Sequence, residues 1–179
     1  MIQNNNSIFI AYNKPVGIIS TTEKIQGNII DAINHPEKLL PIGRLDKDSE
    51  GLILLTNNGS IIDKIINPVY EHEKEYIVTL NLPLRKQFLL DVANGVNIGD
   101  AITKPCTITA EPNAKRIFRI VLKQGLNRQI RRLCNVYNYQ VLKLQRVRVL
   151  NIKLGMLKTG EWRNLSEDEL NELFKILNV

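Results

Sequence analysis

Apolar and polar positions along this chain alternate with a period of two over several stretches and move to helical spacing over others. Residues 7–12, 51–56, 75–81, 100–110, 116–123 and 141–152 read as strands. In the fifth of these, Phe118, Ile120 and Leu122 share one side, while Ile117, Arg119, Val121 and Lys123 share the other. That strand should have one buried face and one face carrying cations. Helical spacing appears over 28–34, 60–67, 84–93 and 126–138. The second of these helices should turn Ile61, Ile62, Ile65 and Ile66 inward and stop at Pro68. The fourth should bury Ile130, Leu133, Cys134 and Tyr137, with Asn127 as its N-cap. A last helix opens on Ser166 and Glu169, the spacing of a capping box, and packs Leu170, Leu173, Phe174 and Leu177. Pro15-Val16-Gly17 and Asn57-Asn58-Gly59 are turns, and residues 1–6 form a polar leader expected to be disordered.

Strands dominate, and helices interrupt them without βαβ regularity. The expected fold is α+β, with a large, mostly antiparallel sheet, flanking helices and a central cleft. Residues 1–179 should form a single domain, at most divided into two sublobes sharing one sheet. The longest apolar runs, such as Leu52 to Leu55, are far too short to span a membrane. The N-terminus lacks the basic and apolar regions of a secretory signal. Cys106, Cys134, His35 and His72 lack the spacing of a metal site, so no metal is expected, and two isolated cysteines suit a reduced cytoplasmic protein.

Charge sharpens this picture. The formal net charge is +6, but residues 112–160 hold twelve Lys and Arg and no acid. A mildly acidic remainder thus adjoins one strongly basic third, the distribution expected of a polyanion binder; a solvated basic face is the plainer alternative.

Three local groupings could carry chemistry. Arg44 and Asp46 lie two apart in PIGRLDKDSEGLILLTNN, so in an extended segment they face the same side. Asp46 could act as nucleophile or base, or the two could form a loop ion pair. Tyr76, after Lys74 and Glu75, could stack on a base or close a sheet margin. Asn127, Arg128, Arg131 and Arg132 gather at a helix start, where phosphate is favoured, although a solvated face would look the same.

Taken in order, Lys14-Pro15-Val16-Gly17, Gly43-Arg44-Leu45-Asp46 with Asp48-Ser49 and Gly51-Leu52, Lys74-Glu75-Tyr76, Gly125 to Arg132, and Gly160-Glu161-Trp162-Arg163 are informative. With them the chain resembles the RsuA-type bacterial rRNA pseudouridine synthases, in the branch of RluB, RluE and RluF. HEKEYIV, GLNRQIRRLC and GEWRNL are nearest in wording to RluF-like members, whose small N-terminal RNA-binding module has no counterpart before the first strand here.

The resemblance implies an RNA-binding isomerase that turns a uridine into pseudouridine, with Asp46 as the catalytic aspartate. Tyr76 would pack on the target uracil, and Ile130 would line the pocket. Arg131 would pair with the aspartate, and Arg44 would help displace the nucleotide from its stack. Lys74, Asn127, Arg128 and Arg132 are further substrate contacts. No cofactor is expected, since the reaction involves neither redox change nor group transfer. The expected partner is 23S rRNA; a tRNA anticodon loop or 16S rRNA is the alternative, and the enzyme would act as a monomer. A non-catalytic RNA-binding or ribosome-assembly factor is a second alternative.

Overall fold

The computed structural model describes residues 7–179, so the expected disordered leader lies outside the described residues. Nine strands form one sheet: β1 (Phe9–Lys14), β2 (Leu40–Ile42), β3 (Glu50–Thr56), β4 (Lys74–Leu80), β5 (Thr107–Ala110), β6 (Ile117–Leu122), β7 (Val141–Val149), β8 (Ile152–Lys153) and β9 (Trp162–Asn164). The main path runs β5-β6-β4-β7-β3-β1-β9, with β2 added to β3 and β8 to β7. The helices are α1 (Ile29–Ile33), α2 (Ile62–Ile66), α3 (Lys86–Asn94), α4 (Gln129–Val136) and α5 (Glu167–Leu177). The α+β fold on a large, mostly antiparallel sheet is as expected.

Between the named strands, only β3 and β7 pair in parallel, through Glu50↔Gln145 and Gly51↔Arg146. Gly51 makes this seam possible. Its φ is +105°, and a Cβ there would lie 2.3 Å from the Arg146 carbonyl oxygen. The seam joins two differently built halves. Every residue of β1 is buried. On one face of β1 and β3, Phe9, Ala11, Leu52 and Leu54 pack with α2 and α5 residues; on the other, Ile10, Tyr12, Ile53 and Leu55 pack with Ile29 and Ile33 of α1. In the other half, Val78, Leu80, Phe118, Ile120, Leu122 and Leu144 share a core with α3 and α4.

Local chemistry accounts for the main boundaries. Ser166 Oγ accepts from the Glu169 amide, and the Glu169 carboxylate accepts from the Ser166 amide, forming the expected capping box. Gly95, at φ +99°, closes α3.

Several expectations need correction. The strand expected over 141–152 is a hairpin, because Leu150 turns left-handed at φ 53° and reverses the chain into β8. Of 100–110 only β5 is extended in the sheet, apart from an isolated bridge between Asn97 and Ile102. The helix expected over 60–67 is a 3-10 turn (Gly59–Ile61) followed by α2, and Ile66 is exposed rather than inward. Helix α4 is capped by Arg128 in a left-handed conformation, φ 48°, not by Asn127. The Gln129 side chain there accepts from the Leu126 amide instead. Among the described residues, no helix is long and apolar enough to cross a membrane.

Candidate active site

The segment between β2 and β3 carries Arg44 and Asp46 on either side of Leu45, and Leu45 is held on both sides of its peptide unit. The buried Ser20 hydroxyl donates to the Leu45 carbonyl at 2.8 Å and accepts from the Leu45 amide at 3.1 Å. The Gly17 amide donates to the Lys47 carbonyl at 2.7 Å, and the Ser49 amide to the Asp46 carbonyl at 3.0 Å. From β7, Arg146 Nη1 donates to the Arg44 carbonyl at 3.3 Å. With Leu45 buried, the flanking side chains of Arg44 and Asp46 both line a cleft of about 630 Å³. The two residues are brought to one cleft in an irregular loop, and Leu45 between them borders it as well.

The cleft lies at the seam between the two halves. Lys74, Tyr76, Leu122, Leu144 and Arg146 line it from the sheet, and Asn127, Arg128, Gln129 and Ile130 from the start of α4. Seven of the expected site residues thus meet in one place: Arg44, Asp46, Lys74, Tyr76, Asn127, Arg128 and Ile130.

Arg131 and Arg132 fall outside that lining. Arg131 does not reach Asp46. Its Nη2 donates to the Asp48 carbonyl at 2.8 Å, its Nη1 to the Val141 carbonyl at 3.3 Å, and its Nε lies 3.3 Å from an Asp48 carboxylate oxygen. The guanidinium beside Asp46 is that of Arg128, 3.7 Å from Oδ2. Arg128 also grips Asp48 with two parallel hydrogen bonds of 3.0 and 2.9 Å. That pair links the Asp46 loop to α4 across the cleft and holds Arg128 in its left-handed conformation. The Arg128 hydrogen bond holds the Asp48 carboxyl below the usual carboxylate range. Arg132 turns away to the Ile98 carbonyl and the Asp100 carboxylate.

Residue-type reasoning missed Ser20, Asp48 and Arg146, whose roles come from contacts with distant segments. Lys14 was legible only as part of a motif. Its side chain is fully buried, and its Nζ donates to the Pro15 and Ile18 carbonyls at 2.9 and 2.8 Å, closing the turn beside the Asp46 loop. Burial, with Arg146 nearby, pushes its pKa down to about 8.

The basic third is also less bare than its sequence. Six of its twelve cations are in ion pairs with acids from elsewhere in the chain: Arg119, Arg128, Arg131, Arg132, Lys143 and Arg148.

Comparison with known proteins identifies the family. Residues 8–136 match the family model described as RNA pseudouridylate synthase. The chain belongs to this family. It is 50% identical over 171 residues to the dual-specificity RNA pseudouridine synthase RluF of Escherichia coli K12, covering 95% of this chain and 58% of that protein. It therefore spans little more than half the length of that relative. The ribosomal large subunit pseudouridine synthase B of Bacillus subtilis is 30% identical, over 96% of this chain and 73% of that one. A crystal structure of a pseudouridylate synthase superposes with a TM-score of 0.85 at 28% identity, over 94% of this chain and 74% of that one.

Proposed function

We propose that this chain isomerises a uridine of RNA to pseudouridine, as one catalytic unit of two sublobes meeting at the cleft. The observation that carries the reading is the convergence of Asp46, Arg44 and Tyr76 in one cleft of a chain belonging to this family.

The reaction breaks the N1–C1′ bond, turns the uracil and rejoins it to the sugar through C5. Asp46 is the group for the sugar side. Its carboxylate opens into the cleft, where it can attack C1′ or take a proton from C2′. Tyr76 and Ile130 offer the base a ring and an apolar wall while it turns. A stacked nucleotide cannot reach Asp46, so it must leave its stack at a cost of a few kcal/mol. Arg44, exposed at the rim, is placed to hold it out, and Arg128 and Asn127 to meet flanking phosphates. Arg131 acts one step back, through Asp48, by fixing α4 against the Asp46 loop. Arg132 braces the start of α4 through Asn127 and Asp100, outside the cleft lining.

The proposed substrate is large-subunit rRNA, with a tRNA as second target; the relatives named for the ribosomal large subunit and for dual specificity support this. Such work places the protein in the cytoplasm. The test is to incubate the protein with 23S rRNA, 16S rRNA and tRNA transcripts and map pseudouridine by carbodiimide-blocked reverse transcription. A stop at one uridine in 23S rRNA is expected. Tight RNA binding with no pseudouridine in any of the three would favour a binding factor instead.

A further inference from the structure

The cleft floor carries two cations without a carboxylate partner. Lys74 and Tyr76 are two residues apart on β4 and both line the cleft. Tyr76 is the direct cross-strand partner of Arg146 on β7. Direct partners in an antiparallel pair project from the same face of the sheet. Ring, ammonium and guanidinium therefore stand side by side on the cleft floor.

Both cations are poorly compensated. Arg146 is only 3% exposed, and its hydrogen bonds go to the neutral carbonyls of Leu52 and Arg44, at 2.7 and 3.3 Å. Lys74 Nζ makes one long contact, 3.4 Å, to the His72 carbonyl. Neither is in an ion pair among the described residues, whereas Arg119 and Arg148 on neighbouring strands are each clasped by two glutamates. Burial and the nearby Arg146 hold the Lys74 pKa below the usual lysine value. A buried guanidinium beside a half-buried ammonium, neither with an anion, is costly, so the site is built to receive negative charge.

That charge need not be phosphate. Phosphates meet exposed cations at the rim, where Arg44, Lys47 and Arg128 stand. The floor lies instead where a base resting on Tyr76 would sit. Uracil is neutral in the nucleotide and becomes an anion, its charge spread over N1, O2 and O4, only as N1–C1′ breaks. Fixed cations there favour the cleaved state over the bound substrate, which is what acceleration requires.

Resting on the proposed activity, we propose that Lys74 and Arg146 form an anion seat that holds the uracil as it leaves C1′. The electron pair of N1–C1′ departs with uracil, and the sugar is captured by the Asp46 carboxylate or loses its C2′ proton to it. On return, C5 bonds to C1′ through the C5=C6 pair, releasing Asp46 or regaining the C2′ proton. C5 then gives up its proton and N1 gains one, so the reaction is an isomerisation with no net loss.

The test uses the full chain with Lys74→Met, Lys74→Gln and Lys74→Arg, because Arg146 also braces the Asp46 loop. On an RNA that the wild type modifies, Lys74→Met and Lys74→Gln should lower kcat by about 100-fold with RNA affinity changed by less than about two-fold, and Lys74→Arg should recover most of the loss. Unchanged kcat, or a loss confined to KM, overturns the seat. A second readout needs no turnover. By calorimetry at neutral pH, the wild type should bind 5-nitrouracil, an anion there, about ten-fold more tightly than neutral uracil, a preference absent in Lys74→Met. Equal affinities in the wild type overturn the seat. A wild type that makes no pseudouridine yet prefers the anion refutes the proposed activity and supports the seat.

Discussion

The two halves of this sheet solve burial in opposite ways. Strands β1 and β3 are covered on both faces, by α2 and α5 on one and by α1 on the other. Strands β4 and β6 are covered by α3 and α4 on one face, while β7 gives Leu144 to that core and Val147 and Val149 to the first. The other face of β4 and β6 carries Glu73, Glu75 and Glu111 threaded between Arg119 and Arg148. The difference divides the labour of the cleft. The doubly covered half holds the loop that carries Asp46, pinned by hydrogen bonds from Ser20, Gly17 and Arg146. The singly covered half offers the base a ring and cations from strands whose outer face is polar. On the proposed reading, the carboxylate that would meet the sugar is thus carried by the doubly covered side, and the surface that would receive a base and phosphates by the other.

The largest effect should come from the doubly covered half. Asp46→Asn should reduce pseudouridine formation by about a thousandfold or more while RNA binding, measured by filter retention, persists. Activity within ten-fold of wild type would place the reacting group elsewhere. The seam between the halves comes next. Gly51→Ala puts a Cβ against the Arg146 carbonyl in a left-handed backbone, and should cost about 3 kcal/mol or more in urea unfolding. A smaller loss would mean that the two halves slide more readily than their pairing suggests.

On the receiving side, Arg128→Ala should weaken RNA binding about ten-fold and reduce the slope of log Kd against log salt by about one. Its exposed pair with Asp48 should alter stability by less than about 1 kcal/mol. The smallest effect tests burial itself. Burial pushes the Lys14 pKa down to about 8, whereas in the unfolded chain it returns to the ordinary lysine value of 10.5. Between those values the unfolded state binds more protons, so stability rises with pH. Lys74 acts in the same sense. The Cys106 and Cys134 thiols, held above their ordinary value of 9.0, oppose it from about pH 8 upward, because in the unfolded chain they ionise first. From pH 8 to 9 Lys14 should contribute up to about 1 kcal/mol, so the change in stability over that interval should be less favourable by about that amount in Lys14→Met than in the wild type; an equal change in the two would assign it to other groups.

Much of the fold was legible from local pattern. Strand alternation located β4, β6 and most of β7, and the Ser166–Glu169 spacing located the start of α5. The turn at Leu150 escaped notice because a leucine in left-handed conformation leaves no Gly or Pro signal. The α4 cap was misassigned for a related reason. Asn127 is the usual residue type, but Arg128 takes the position because Asp48, 80 residues away, grips its guanidinium.

What the sequence determined by itself was therefore what neighbouring residues decide. It set the periodicity of most strands and helices, the capping box made within one turn, and the ordered motifs that mark the family. Tertiary structure alone decided which charges remain available. It paired half of the basic third with distant acids, turned Arg131 and Arg132 away from the cleft, and left Lys74 and Arg146 uncompensated on its floor. The physical reason is range. Backbone periodicity and capping act over a few residues, whereas burial and ion pairing depend on contacts such as Arg146 to Leu52, 94 residues apart, which exist only once the sheet has closed.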